Sequence, residues 1–345
     1  MTKIRVSDAK SPPLLCLGET MVLLTADDGP LEENSHVGIH VGGAESNVAS
    51  GLAHLGNEVA WFSRVGDDPF GRIILDFLHT RGVRLDGVAI DSSRPTGIYL
   101  KNREADSSRV FYYRSGSAAS AMCPADLPSL SLESRSLCHV SGITPALSAT
   151  ADALMQQLLI DRSVPGLRVS FDVNYRPALW PRSVAAPRLL QLARAADIVV
   201  VGRDEAEVLW DTERAEDVRE IFPDAPHLVV KDAAVGATHF AGDLVTFEPA
   251  LKANVVDPVG AGDAFAAGFL TGLVRDLGVS HSLRLGHLMA GLTLQHVSDL
   301  PALPPAETTL TISQLGADDW ANIRLTSGHL NDLEVLLPKG HAHVI

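Results

Sequence analysis

A chain of 345 residues, 46% hydrophobic and 20% charged, has the profile of an ordinary globular protein with a large core, best accommodated as one large α/β domain with at most a small appendage. Its formal net charge of −14 argues against nucleic-acid or anionic-membrane partners, so any anionic substrate must meet a local cluster of Arg or Lys. Three cysteines without disulfide or metal-ligand spacing, thirteen histidines without HExxH, and no apolar run near the ~20 residues of a membrane span point to a reducing cytoplasm.

Residues 1–13 are polar and end in Pro12-Pro13, the composition of a loose leader. LLCLGE (14–19) reads as a short buried strand running into a turn, and a second extended piece follows at 21–25. Glu19, at the end of the first strand, is either a ligand contact or a solvated turn residue. In VGGAESN (41–47), paired glycines precede a helix with Val48, Leu52 and Leu55 on one side and Gly56 at its end. Such glycines let another group approach the backbone, and Asn47 can bond a hydroxyl or simply cap the helix.

Strand-like pieces at 96–100 and 109–114 flank a polar loop rich in Ser and Asp. Alternation places Val110, Tyr112 and Arg114 on one face and Phe111 and Tyr113 on the other. A tyrosine hydroxyl beside a guanidinium would grip a carboxylate or polyol, although such residues on a strand are more often at a surface or interface.

From 137 onward, strands at 138–141, 168–172 and 197–201 alternate with helices near 147–160 and 183–195, the pattern of a doubly wound, mostly parallel sheet. Ligands in such sheets collect at the carboxyl ends of the strands, where DVNYR (172–176) falls. Asp204 and Glu205 fit an acidic first helical turn. A later helix near 280–296 carries His287, which on a helix is more often a packing residue than a ligand, and the Pro-rich turn at 301–305 suggests a boundary.

DPVGAGDAF (257–265) puts a Pro and two glycines between an apolar strand at 254–256 and a helical run, the signature of strand, sharp turn and helix. The first N–H groups of a helix have no intrahelical partner, and Gly260, Ala261 and Gly262 place no bulk between them and an anion. Asp263 occupies the first turn, where a carboxylate is electrostatically at home. A base beside an anion hole suits phosphoryl transfer to an alcohol, while an N-cap Asp in a Gly turn is the plain structural alternative. The Walker pattern GxxxxGK[ST] is absent, and GxGxxG fails at Phe265.

This nonapeptide resembles the second signature of the PfkB, or ribokinase-like, carbohydrate kinases, and the stretch through RVGDDPFG (64–71) resembles the first, roughly 200 residues earlier. Within that family, residues 14–305 look like the 2-keto-3-deoxygluconate kinases, most densely in 96–100, VFYYRSGSA (110–118), VSGITPALS (140–148) and SFDVNYRPALW (170–180). The resemblance implies a ribokinase-like α/β fold over 14–314, a doubly wound sheet flanked by helices with a small β lid from about 15–40 and 96–115, and an extension of unknown role at 315–345. It also implies a homo-oligomer through the lid, whose closure would exclude water and limit futile ATP hydrolysis.

The implied reaction is ATP-dependent phosphorylation of 2-dehydro-3-deoxy-D-gluconate at its C6 hydroxyl, with Asp263 as base and Gly260, Ala261 and Gly262 as anion hole. Substrate contacts would come from Gly43, Ala44, Glu45, Ser46, Asn47, Tyr99, Tyr112, Arg114, Arg176 and Asp299. ATP contacts would come from Asn174, Tyr175, Arg176, Gly202, Lys231, Gly236 and His287 together with the anion hole. Two arginines suit a sugar acid, because a neutral hexose would leave them without a matching anion. Glu205 would organise Mg2+ through water, although Gly202 replaces the Asn of the family's Asn-x-x-Glu, and the nucleotide loop at Lys231 and Gly236 lacks its middle Gly. The resemblance also implies a candidate monovalent-cation site near Asp257 and Val259, where the wider family has such sites. The alternatives are a kinase for fructose or 5-dehydro-2-deoxygluconate and a non-catalytic sugar sensor, the last disfavoured by an intact Asp263.

Overall fold

Four apolar stretches, Leu14–Leu17, Leu137–Ser141, Arg168–Asp172 and Ile198–Gly202, lie side by side as parallel strands in an eight-stranded sheet. Near-continuous apolarity is what a strand covered on both faces requires. The structure, a computed structural model, describes residues 14–26, 29–33, 35–104, 107–130, 137–296 and 300–325. The expected leader at 1–13, Asp299 and the stretch 326–345 lie outside the described residues.

Val59–Phe62 adds in parallel at one edge, and His227–Asp232 at the other, followed by antiparallel Gly236–Ala241 and Leu244–Pro249. Alternate residues of each strand serve opposite layers. Leu15, Val140, Phe171 and Val199 pack with the helices Ala149–Met155, Arg182–Arg194 and Arg203–Trp210. Leu14, Cys16, Ile198 and Val200 pack with Ala44–His54, Pro69–Thr80 and Ala261–Val274. Each large apolar side chain buried this way contributes roughly 1.5–3 kcal/mol, enough for the two layers to fix the strand ends that carry polar residues.

The lid is a separate four-stranded sheet in the order Val37–Gly42, Met21–Ala26, Ile98–Glu104, Ser107–Tyr113. Leu14–Leu17 belongs to the central sheet, so the lid begins at Met21 rather than near 15. Tyr99 stands opposite Tyr112 in register, and Tyr99, Lys101, Val110, Tyr112 and Arg114 all face the cavity, while Tyr113 on the far face is 63% exposed.

The strand expected at 254–256 does not form. Pairing there is confined to Lys252–Ala253 against Arg324–Leu325, and Val255 and Val256 are exposed, having no partner strand among the described residues. Leu315, Trp320, Ile323 and Leu325, beyond the resembling region, pack with Leu288 of the Val279–Thr293 helix, and Arg284 of that helix donates to the Leu315 carbonyl at 2.7 Å. Among the described residues no helix is long and apolar enough to cross a membrane.

Candidate active site

The helix Ala261–Val274 starts on Gly260, whose φ of 80° is the left-handed conformation that glycine adopts without a Cβ penalty, and no side chain caps it. Its first turn therefore presents backbone N–H groups and the positive end of the helix dipole to whatever lies in front. Asp263 follows in that turn. The Asn47 side-chain amide, from the first turn of Ala44–His54, donates to Asp263 Oδ2 at 2.9 Å and fixes the carboxylate from across the site.

Lys231, at the end of His227–Asp232, brings a positive charge to the same place. Its Nζ lies 3.4 Å from where a Cβ on Gly262 would stand, and it donates to Asp172 Oδ2 at 2.9 Å. Burial works against the Lys231 ammonium, but Asp172, Glu205 and Asp263 around it outweigh that and hold its pKa above the ordinary lysine value. Amide donors, a carboxylate and an ammonium thus converge where the parallel strands end, the position at which α/β sheets collect ligands.

These groups form one wall of a cavity of about 1030 Å³ under the lid. Gly43, Ala44, Asn47, Tyr99, Tyr112 and Arg114 line its lid end. Asn174, Arg176, Gly202, Glu205, Lys231, Gly236 and His287 line the other, with Gly260, Ala261, Gly262 and Asp263 between. Three expected contacts do not reach it. Glu45 is wholly buried, where Ser141 and Thr144 donate to its Oε1. Burial raises its pKa, and its carboxyl lies so close to Gly18 that a Cβ there would collide. The Ser46 hydroxyl turns back to the Gly43 carbonyl at 3.0 Å, and Tyr175 donates to the Trp180 carbonyl at 3.3 Å. These three brace the cavity walls from behind.

The close approach that Gly43 permits is made by protein, since a Cβ there would lie 2.5 Å from the Glu19 carbonyl. Glu19 is the main lining residue that sequence reasoning left undecided. It is 2% exposed, accepts from Arg114 Nε at 2.6 Å and from Ser117 Oγ at 2.5 Å, and so matches the Arg114 charge within the chain. The inference that a neutral sugar would strand both arginines therefore fails for Arg114. Tyr99 and Tyr112 stack at 5.8 Å beside it. Arg176 is half-exposed and lies 3.9 Å from Glu205.

At the end away from the lid, Glu205 Oε2 accepts the Gly202 N–H at 2.9 Å, and burial together with Asp172 raises its pKa. Gly202 leaves room for Asp204, whose carboxylate oxygen would sit 2.6 Å from a Cβ there. His287 Nε2 lies 3.0 Å from the Glu248 carbonyl, which can only accept, so this nitrogen carries the proton. Burial lowers the His287 pKa to about 4, and the neutral ring meets Phe265 edge-on at 5.1 Å.

Among the described residues no group of three or more His, Cys, Asp or Glu side chains makes a metal cage. A hydrated Mg2+ fits nonetheless, because the buried Asp172 Oδ1 has no hydrogen-bond partner and Asp172 and Glu205 both line the cavity. A monovalent cation at Asp257 does not fit: its Oδ2 is held by Lys101 Nζ at 2.5 Å and its Oδ1 by the Val259 N–H at 3.1 Å.

The chain matches the model for the pfkB family carbohydrate kinases over residues 12–305. It is 34% identical over 297 residues to the 2-dehydro-3-deoxygluconokinase of Bacillus subtilis, covering 84% of this chain and 92% of that protein. It is equally 34% identical over 317 residues to the enzyme of that name from Thermoproteus tenax, covering 88% and 96%. The 2-dehydro-3-deoxygalactonokinase of Haloferax volcanii is 31% identical over 301 residues, covering 85% and 94%. Among solved structures, a PfkB protein from Polaromonas superposes with a TM-score of 0.76 at 33% identity, over 83% of this chain and 97% of that one.

Proposed function

This chain belongs to the pfkB family of carbohydrate kinases and is an ATP-dependent sugar kinase, and we propose that its substrate is 2-dehydro-3-deoxy-D-gluconate, phosphorylated at C6 to 2-dehydro-3-deoxy-6-phosphogluconate. The observation that carries this reading is Asp263 beside an uncapped, glycine-lined helix start, in a cavity whose lid end holds Tyr99, Tyr112 and Arg114. Asp263 takes the C6 hydroxyl proton as that oxygen attacks the γ-phosphorus. The bond from the γ-phosphorus to the β–γ bridging oxygen breaks, ADP leaves with the electron pair, and the proton passes from Asp263 to solvent.

The Gly260, Ala261 and Gly262 amides and the Lys231 ammonium hold charge on the moving phosphoryl, an effect strengthened where water is excluded. Asn47 aims the base. Asn174, Gly236 and His287 receive the nucleotide, and Asp172 and Glu205 would hold a hydrated magnesium ion. Bound there, magnesium would supply neutralisation of the β- and γ-phosphate charge. Arg114, at the lid end, holds the carboxylate end of the sugar and so fixes which hydroxyl reaches Asp263.

Coupled ADP release with 2-dehydro-3-deoxygluconate, its galacto epimer, gluconate, fructose and ribose tests the assignment. Strong preference for the first supports it. Asp263→Asn should lower kcat by about 10²–10⁴-fold while calorimetry still registers ATP binding; a near-normal rate would refute the role of Asp263. The Glu19 partner of Arg114 favours a second reading, a neutral ketose such as fructose, and preference for fructose in the same assay would select it.

A further inference from the structure

Lys101 sits on the lid strand Ile98–Glu104, in register with Thr25 on one side and Val110 on the other, and its ammonium reaches down to Asp257 at 2.5 Å. The two side chains are only 15% and 11% exposed, so little water separates or screens them. The second Asp257 oxygen shapes the turn by accepting the Val259 N–H, immediately before Gly260 takes its left-handed conformation. One carboxylate therefore joins the lid to the turn that leads into the Gly260 to Gly262 amides.

We propose that Lys101 is a positioning residue, a lid-borne cation that locks Asp257, fixes the turn presenting those amides, and stands where a monovalent cation would otherwise neutralise this carboxylate. The proposal rests on the reading of the amides as the phosphoryl cradle. A second cation at Asp257 would face the ammonium at contact distance and be repelled. Without Lys101, a shielded carboxylate is left unpaired and turns toward water, taking the Val259 amide with it. Lifting the lid breaks the pair, so the cradle is set only when the lid is down, which couples closure to competence.

Lys101→Met keeps the side-chain length and removes the charge, and Lys101→Arg restores it. The Met variant should lose on the order of tenfold to a hundredfold in kcat with a smaller change in KM for the sugar, and the Arg variant should recover most of the loss. Wild-type kcat should be equal in potassium chloride and choline chloride at matched ionic strength. Independently of turnover, the amides of Asp257 and of residues 259–262 should exchange with deuterium faster in Lys101→Met and at the wild-type rate in Lys101→Arg. Lys101→Ala, which opens space beside Asp257, should melt higher in potassium than in choline, whereas the wild type melts alike in both. A wild type that needs potassium, a Met variant with unchanged kcat and exchange, or an Ala variant indifferent to potassium would overturn the proposal. Wild-type silence on every sugar, with the exchange and melting results as expected, would sink the substrate reading and leave the ion pair supported.

Discussion

Arg114 is the residue on which substrate choice turns, and its simplest substitution is uninformative. Arg114→Ala leaves Glu19 buried and unpaired, a change that typically costs ~3–5 kcal/mol and would depress turnover on any sugar. Removing both charges together, as Arg114→Met with Glu19→Gln, keeps the volume and leaves Ser117 a partner. If Arg114 holds a substrate carboxylate, the double variant should raise KM for 2-dehydro-3-deoxygluconate by about 10- to 100-fold, the worth of one charge-assisted hydrogen bond, and leave KM for a neutral ketose unchanged. Equal effects on acid and neutral sugars in steady-state kinetics would exclude that role.

The helix carrying Asp263 is held in place by how closely it lies against its neighbour. A Cβ on Gly268 would stand 2.5 Å from the Leu285 carbonyl, and one on Gly272 would stand 2.5 Å from Ser282 Oγ, so Ala261–Val274 and Val279–Thr293 meet through two glycines one turn apart. Gly268→Ala should gain about 1 kcal/mol in helix propensity yet lose roughly 1–3 kcal/mol by forcing the backbones apart. The expected result is a lower urea midpoint and a fall in kcat, because Asp263 moves with the helix; a stabilised variant would show that the contact has slack.

Elements and pairings differ in how far they can be read from sequence. The period-2 pattern of Val110, Tyr112 and Arg114 gave the cavity-facing side of the lid, and the glycines before Asp263 gave the helix start, because both are local consequences of backbone geometry. Asn47 and Asp263 are 216 positions apart, and Glu19 and Arg114 are 95 apart, so nothing local marks either as a pair. Glu45 misled for a related reason: its place beside Gly43 is legible, but the direction of its carboxyl is set by Gly18, just past the first strand, and by Ser141 at the end of Leu137–Ser141. The valines at 255 and 256 look like a strand, yet both are exposed and have no partner strand among the described residues.

At the scale of the whole molecule, acid stability is set by groups held away from their ordinary protonation. Burial lowers the pKa of His139, His239 and His287 from 6.5 to about 4. In the unfolded chain these rings return to about 6.5, so between those values the unfolded state binds more protons. Their contribution is therefore fully present above about pH 6.5 and is lost as pH falls toward 4. Glu45 and Glu205, raised by burial, act in the opposite sense: what they contribute is present below the ordinary carboxylate range and lost as pH rises. Four histidines, these three and His227, whose pKa burial also lowers, against two carboxyls should make the urea midpoint fall from pH 7 to pH 5. In a His139→Gln, His287→Gln double variant the fall should be shallower, whatever the absolute midpoint, because two of the titrating rings are gone. Equal slopes for the two chains would mean that these rings are not kept neutral by the fold.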